Sequence, residues 1–225
     1  LDDILHPRHR YKIVFPFLFA FPLISLVEDT SIAFPLMGSV ELGGLYLYFV
    51  VPAYVMVTAN LANMHSGFNG LASGTALLVL ISLMLKSAMT GGVENLLFAF
   101  PLLGIALAFH YYNLYPSQIF EGDVGSFMLG SAIGIVIILQ KLELIGFVML
   151  IPHIVNFLMY AYWKIKGIPH VKFGRVCEDG TLEVPNPLTL KWLLPYYFKV
   201  TERTCVLFTY CLTVMFCVIG LMMPR

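Results

Sequence analysis

Asn60, Asn63, His65, Ser66 and Asn69 fall within eleven residues, 60–70, that contain no Asp, Glu, Lys or Arg but include Gly67 and Gly70. Three carboxamides, an imidazole and a hydroxyl supply neutral donors and acceptors. That chemistry suits holding a hard cation, a phosphate or a sugar better than moving a proton. If a helix enters the stretch, Asn60 and Asn63 share one face, and the glycines beyond let the backbone turn and come close to a ligand.

The charge such a site needs lies elsewhere in the chain. Asp2 and Asp3 precede Arg8, His9, Arg10 and Lys12, a carboxylate pair suited to Mg²⁺ or a proton beside cations suited to phosphates. Lys12, where the apolar sequence begins, is a point charge for a phosphate on a lipid. A third polar island runs from Asn113 through Tyr115, Pro116, Ser117 and Glu121 to Gly-Asp123-Val-Gly-Ser126. It sets one carboxylate between glycines at the start of an apolar helix, where unpaired N–H groups gather. Each island also has a plain structural reading: solvated acids at Asp2 and Asp3, an ordinary helix connection at 60–70, an N-cap at Asp123. Glu121 is expected to be solvated, His65 to be structural rather than a ligand, and His153 and Asn156 to line the interior of a bundle.

Elements of one kind must position these islands. Of 225 residues 59% are hydrophobic and 12% charged, about half the charge of a typical soluble domain. Apolar runs at 13–27, 42–58, 71–87, 95–112, 125–140, 144–163 and 204–223 approach the roughly 20 residues that span a bilayer as a helix. The expected fold is an all-α polytopic membrane protein, a single integral-membrane domain over 1–225 with about seven transmembrane helices. A long loop, 164–203, carries an interfacial segment over Leu188–Lys199. If every run crosses, ten basic residues fall on the side that holds all the polar islands and three (Lys86, Lys141, Arg225) on the other. That side is then cytoplasmic. The formal net charge of zero suggests no nucleic-acid surface, and Cys177, Cys205, Cys211 and Cys217 form no Cys-x-x-Cys pair, so they read as small apolar side chains.

Together, Asp2-Asp3-Ile-Leu through Lys12, Asn60-Leu-Ala-Asn63-Met-His-Ser-Gly-Phe-Asn69-Gly-Leu and Asn113-Leu-Tyr-Pro-Ser-Gln-Ile-Phe-Glu-Gly-Asp123 resemble the polyprenyl-phosphate N-acetylhexosamine-1-phosphate transferases. The resemblance is greatest to the UDP-GlcNAc:dolichyl-phosphate GlcNAc-1-phosphotransferases of eukaryotes and archaea. It implies a bundle of roughly ten helices of which further spans precede Asp2, and transfer of GlcNAc-1-phosphate from UDP-GlcNAc to a polyprenyl (dolichyl-type) phosphate with release of UMP. It also implies Mg²⁺, with Mn²⁺ as substitute. Carried over, Asp2 and Asp3 are catalytic, Lys12 and Asn60 meet the lipid phosphate, Asn69, His170 and Lys172 meet the nucleotide sugar, and Asn63 and Asp123 hold the metal. Where the eukaryotic form has Arg-His-Arg after a proline, Pro169 is followed by His170-Val171-Lys172, so only the histidine is retained. The membrane would be the plasma membrane of a prokaryote or the endoplasmic reticulum of a eukaryote, and a homodimer is an open alternative. The rival readings are a membrane transporter, which wants polar groups near mid-membrane, and a catalytically incomplete remnant serving as an assembly partner.

Overall fold

The computed structural model describes residues 9–34, 38–91, 96–169, 171 and 174–224. Asp2, Asp3, His170 and Lys172, four of the expected site residues, lie outside them. The chain runs α1 (His9–Phe19), a 3₁₀ turn (Phe21–Leu26), a hairpin of β1 (Ser31–Phe34) and β2 (Gly38–Glu41), and a π turn (Tyr46–Val50) continuing into α2 (Val51–Met64). Then come α3 (Leu71–Met89), α4 (Leu96–Asn113), α5 (Gly122–Leu139), α6 (Glu143–Met149) and α7 (Ile151–Ile165). The short pair β3 (Arg175–Val176) and β4 (Leu182–Glu183) leads to α8 (Leu190–Tyr197) and α9 (Glu202–Met222).

Among the described residues four helices are long and apolar enough to cross a membrane: Tyr46–Met64, Leu71–Met89, Gly122–Leu139 and Glu202–Met222. The α6–α7 pair, bent by 63°, makes a fifth if it acts as one span. The protein is an integral membrane protein of all-α class, but the described elements are less regular than seven straight spans. The run 13–27 divides into α1 and the 3₁₀ turn at Ala20, ahead of Pro22, and 144–163 breaks at Leu150, two residues before Pro152. A proline lacks the N–H that an uninterrupted helix would use at each break. Expected at 125–140, α5 starts three residues earlier, which puts Asp123 inside its first turn rather than at the cap.

Between lipid-facing helices burial of apolar area offers little driving force, so close backbone approach and dispersion must hold the bundle. α2 and α5 show how. Gly130 and Gly134, four apart, face Thr58, Ala59 and Val55 of α2 so closely that a Cβ on Gly130 would lie 2.5 Å from the Thr58 carbonyl and 2.6 Å from Ala59 Cα. Leu80, Leu83, Ile133, Ile137 and Met149 fill the centre between α3, α5 and α6, all but inaccessible. At one end, Lys141 lies 4.2 Å over the Tyr46 ring, near buried Glu143, which accepts from the Tyr46 hydroxyl. Nearby, the buried Lys86 Nζ donates to the last carbonyls of α9, Leu221 and Met223, at 3.0 and 2.5 Å. These contacts brace the end away from the polar islands. The four cysteines are free, with Cys205 and Cys217 buried and Cys211 exposed.

Candidate functional site

α2 runs on to Met64, so Asn60 and Asn63 share a helical face at the end where α1 and α5 begin. Asn63 Nδ2 donates to Asp123 Oδ1 at 3.1 Å and to Ser126 Oγ at 2.9 Å, both from α5. The Lys12 ammonium pairs with the other carboxylate oxygen of Asp123. Asn60 Nδ2 donates to Met56 O and, at 3.3 Å, to the backbone carbonyl of Lys12, tying α1 to α2 beside that lysine. Lys12, Asn60, Asn63 and Asp123, brought together from three helices, form one cluster. Ser126, buried behind it, was not singled out as a site residue, although its spacing of three from Asp123 on a helix was visible.

The second half of the site is the turn 65–70. Gly67 (φ +103°) and Gly70 (φ +76°) are in the left-handed region, as the close turn there requires. Asn69 donates to the Glu202 carboxylate through its backbone N, at 2.6 Å, and through Nδ2, and its Oδ1 accepts from Ser117 N at 3.1 Å. Buried Asn113 receives Gly70 N at 3.1 Å on Oδ1 and donates to Ile119 O at 2.9 Å. The two islands at 60–70 and 113–123 therefore form one continuous hydrogen-bonded surface. Tyr115 lies under the Arg203 guanidinium at 4.3 Å. Lys191 and Glu202 cannot be found from sequence, because nothing local relates them to residues more than a hundred positions earlier.

Partly buried charges surround the turn. Lys191 Nζ donates to Ser66 O at 2.6 Å and sits 5.5 Å over the Phe68 ring. Burial pushes its ammonium down to about 8, against the upward pull of Glu121 and Glu202. Glu121 is not solvated as expected: burial raises its carboxyl above the ordinary range, offset by a hydrogen bond from Asn113 and the charge of Lys191. Oε2 of Glu121 has no hydrogen-bond partner. His65 packs on His153 with ring centroids 4.5 Å apart, and burial, then His153 and Lys191, hold its imidazole well below the usual value. Both histidines are buried in the core, as expected for His65 and for the interior-facing His153. Asn156, also buried, donates to Met64 O and accepts from Leu190 N, each at 2.9 Å.

Lys191 gives a pH signature. Below about pH 8 its ammonium is charged in the folded and unfolded chains alike, and its burial costs stability in full. Between about 8 and the ordinary lysine value the unfolded chain binds the proton that the fold has released, so stability rises with pH. The stability of the wild type relative to Lys191→Met should therefore rise by on the order of 2 kcal/mol between about pH 7 and 10. Denaturation in detergent micelles at the two pH values measures it.

Against these groups lies a cavity of about 800 Å³ between α1 and α5, lined by Phe15, Phe19, Leu23, Phe127, Ile135 and Leu139 among other apolar side chains, with Lys12 and Asp123 as its charged lining. Asp123 and Leu139, both in its wall, are sixteen residues apart on one helix, about 24 Å of length. As for a metal, the Asp123 carboxylate and the Asn63 carboxamide are oxygen donors of the kind Mg²⁺ selects, and the Lys12 ammonium sets a positive charge against that carboxylate. Among the described residues no group of three or more His, Cys, Asp and Glu could hold a metal. The described donors thus fit a cation completed by waters, phosphate oxygens or further carboxylates.

The chain is also similar to known proteins. The profile of Glycosyl transferase family 4 matches residues 1–141. Relatives named as UDP-N-acetylglucosamine–dolichyl-phosphate N-acetylglucosaminephosphotransferases in Sulfolobus acidocaldarius and Saccharolobus solfataricus are 32% and 31% identical, each over 84% of this chain. A phospho-N-acetylmuramoyl-pentapeptide-transferase of Clostridium kluyveri is 40% identical over 52% of the chain and 37% of its own length. The chain spans 58% and 60% of the length of the two archaeal relatives. With its profile covering well over half of the residues and the motif-bearing islands joined in one surface, the chain belongs to glycosyl transferase family 4.

Proposed function

We propose that the protein transfers N-acetylglucosamine 1-phosphate from UDP-GlcNAc to a polyprenyl phosphate of dolichyl type, releasing UMP, at the cytoplasmic face of the membrane, as the first step of lipid-linked glycan assembly. The observation that carries this reading is the apolar cavity whose charged lining is Lys12 and Asp123. A long hydrocarbon chain with a phosphate at its end is the ligand whose chemistry changes along its length in the same way. The names of the archaeal relatives support the substrates.

In this reading an oxygen of the lipid phosphate bonds to the sugar-bearing phosphorus of UDP-GlcNAc. The bond from that phosphorus to the bridging oxygen breaks, and UMP leaves with that oxygen and the electron pair. The lipid phosphate is already an anion near neutral pH, so the protein's work is placement and charge neutralisation. Lys12 receives the lipid phosphate, with Asn60 fixing the backbone that carries it. Asn69 meets the nucleotide sugar, and Asn63 orients the Asp123 carboxylate. Mg²⁺, or Mn²⁺ in its place, would be held by Asp123 and Asn63 and supplies neutralisation of the diphosphate charge. Asp2 and Asp3 as catalytic carboxylates, and His170 and Lys172 as sugar-nucleotide contacts, belong to the same proposal.

The test is UMP release by the full-length protein in lipid nanodiscs, given UDP-GlcNAc, a polyprenyl phosphate and Mg²⁺. Failure to release UMP under these conditions overturns the reading and leaves the assembly-partner role. Ser131 stands in the cavity wall, and Ser131→Phe puts a ring into it. The variant is expected to raise the KM for the polyprenyl phosphate about tenfold, as a few lost methylene contacts imply, and to leave the KM for UDP-GlcNAc unchanged. Equal effects on both substrates would remove the lipid from the cavity. Neither the fold nor the comparisons favour the transporter reading.

A further inference from the structure

We propose that Glu202 is a positioning residue that fixes which edge of the Asn69 carboxamide faces the nucleotide sugar, with Lys191 holding the turn on which Asn69 stands. Glu202 lies in the first turn of α9, beyond the residues the family profile covers, and 133 positions from Asn69. The proposal rests on the transfer reading above and adds a determinant of nucleotide-sugar affinity to it.

The geometry is specific. One carboxylate oxygen of Glu202 accepts from both the backbone N and Nδ2 of Asn69, closing a small ring that immobilises the side chain. On the other side Asn69 Oδ1 accepts from Ser117 N at 3.1 Å. A carboxylate can only accept and a backbone N–H can only donate, so the two partners leave a single orientation of the carboxamide. What remains free on Asn69 is one N–H and one oxygen lone pair. That residual pair suits a ligand edge that presents an acceptor beside a donor. Without Glu202 only the Ser117 N–H holds the carboxamide, so it can swing about that one contact and its free donor and acceptor no longer present a fixed edge to the ligand.

The support for the turn comes from the same end of the chain. Lys191 Nζ holds Ser66 O at 2.6 Å, and the space it occupies exists because residue 67 is glycine: a Cβ there would stand 2.5 Å from the ammonium nitrogen. The Tyr210 hydroxyl donates to Gly70 O and Asn156 to Met64 O. Carbonyls at both ends of the turn and within it are thus tied by side chains from α7, α8 and α9. A loop held only by its own local bonds would not offer a fixed edge.

The experiment uses the full-length protein in nanodiscs, with steady-state kinetics and calorimetric titration of UDP-GlcNAc and, separately, of a short-chain polyprenyl phosphate. Glu202→Ala is expected to raise the KM and Kd for UDP-GlcNAc at least ~30-fold, the scale of losing hydrogen bonds to a charged acceptor. The lipid constants should stay within about twofold, the scatter expected of an independent site. Glu202→Gln keeps an acceptor oxygen at the same reach and should restore most of the affinity. In the Asn69→Ala background, Glu202→Ala should have little further effect. If Glu202→Ala does not fold, Glu202→Asp keeps the charge at the start of α9 while withdrawing it from Asn69, and should still raise the UDP-GlcNAc constants selectively. Loss of both substrates' affinities together, additivity with Asn69→Ala, or unchanged UDP-GlcNAc constants overturns the proposal while wild-type turnover leaves the transfer reading intact. A wild type that releases no UMP overturns the transfer reading, and with it this one.

Discussion

Asp123→Asn is expected to lower transfer by at least ~10³-fold, the scale of removing a preorganised charge from a reacting phosphate centre, while the protein folds and inserts normally. The replacement is nearly isosteric. It keeps an oxygen for Asn63 Nδ2, which now donates to Asp123 Oδ1 at 3.1 Å, but removes the charge that pairs with Lys12. That pair is partly exposed, with side-chain accessibilities of 24% and 35%, so its loss is worth little to stability. A carboxylate on which a divalent cation depends has no such reserve, because a carboxamide brings neither charge nor comparable affinity. UMP release measures the activity, thermal unfolding in nanodiscs checks the fold, and Mn²⁺ titration followed by electron paramagnetic resonance reads the metal directly. Near-normal turnover, or Mn²⁺ binding as in the wild type, would remove Asp123 from the metal site.

Gly130→Leu is expected to be the most damaging substitution remote from any ligand. A Cβ at 130 would already lie 2.5 Å from Thr58 O, 2.6 Å from Ala59 Cα and 2.8 Å from Ala62 Cβ. Two of these are backbone atoms, which no rotamer change can move. α2 and α5 must separate, at a cost of about 1–3 kcal/mol or more for an overpacked core. The separation acts on the site as well, because Asn63 is on α2 and Asp123 on α5, one turn or two beyond the contact. Transfer should fall ~100-fold or more, as a misplacement of about 1 Å at reacting groups produces, together with a lower unfolding temperature. Gly104→Leu is the control: open space surrounds Gly104, so its unfolding temperature should match that of the wild type. Wild-type behaviour of Gly130→Leu would show that the α2–α5 approach is not what aligns Asn63 with Asp123.

Much of this protein can be read in its sequence, where the information is local. A run of apolar residues has one stable answer in a bilayer, a helix that satisfies its own backbone. The helices over 71–87, 95–112 and 204–223 therefore lie close to where the sequence puts them. A spacing of three on a helix is likewise local, and Asn60 and Asn63 share their face because α2 continues through them. What misled was equally local. Prolines near Ala20 and Leu150 break two runs that hydropathy treats as continuous, and Glu121, polar and next to a glycine, reads as solvated although burial raises its carboxyl.

By itself, then, the sequence determined the class, the course of most helices and several of the polar residues that gather at one end, among them Lys12, Asn60, Asn63, Asn69 and Asp123. Only the tertiary structure decided which of them touch. It joined Lys12 to Asp123 and Asn69 to Glu202 across 111 and 133 positions. It also tied Asn60 to the backbone of Lys12 and opened an apolar cavity behind the Lys12–Asp123 pair. The physical reason is that a bilayer fixes each helix separately, through backbone hydrogen bonds that stay within it. Their mutual arrangement depends on which small residues allow close approach and which polar side chains find one another, and neither is a property of any single stretch of chain.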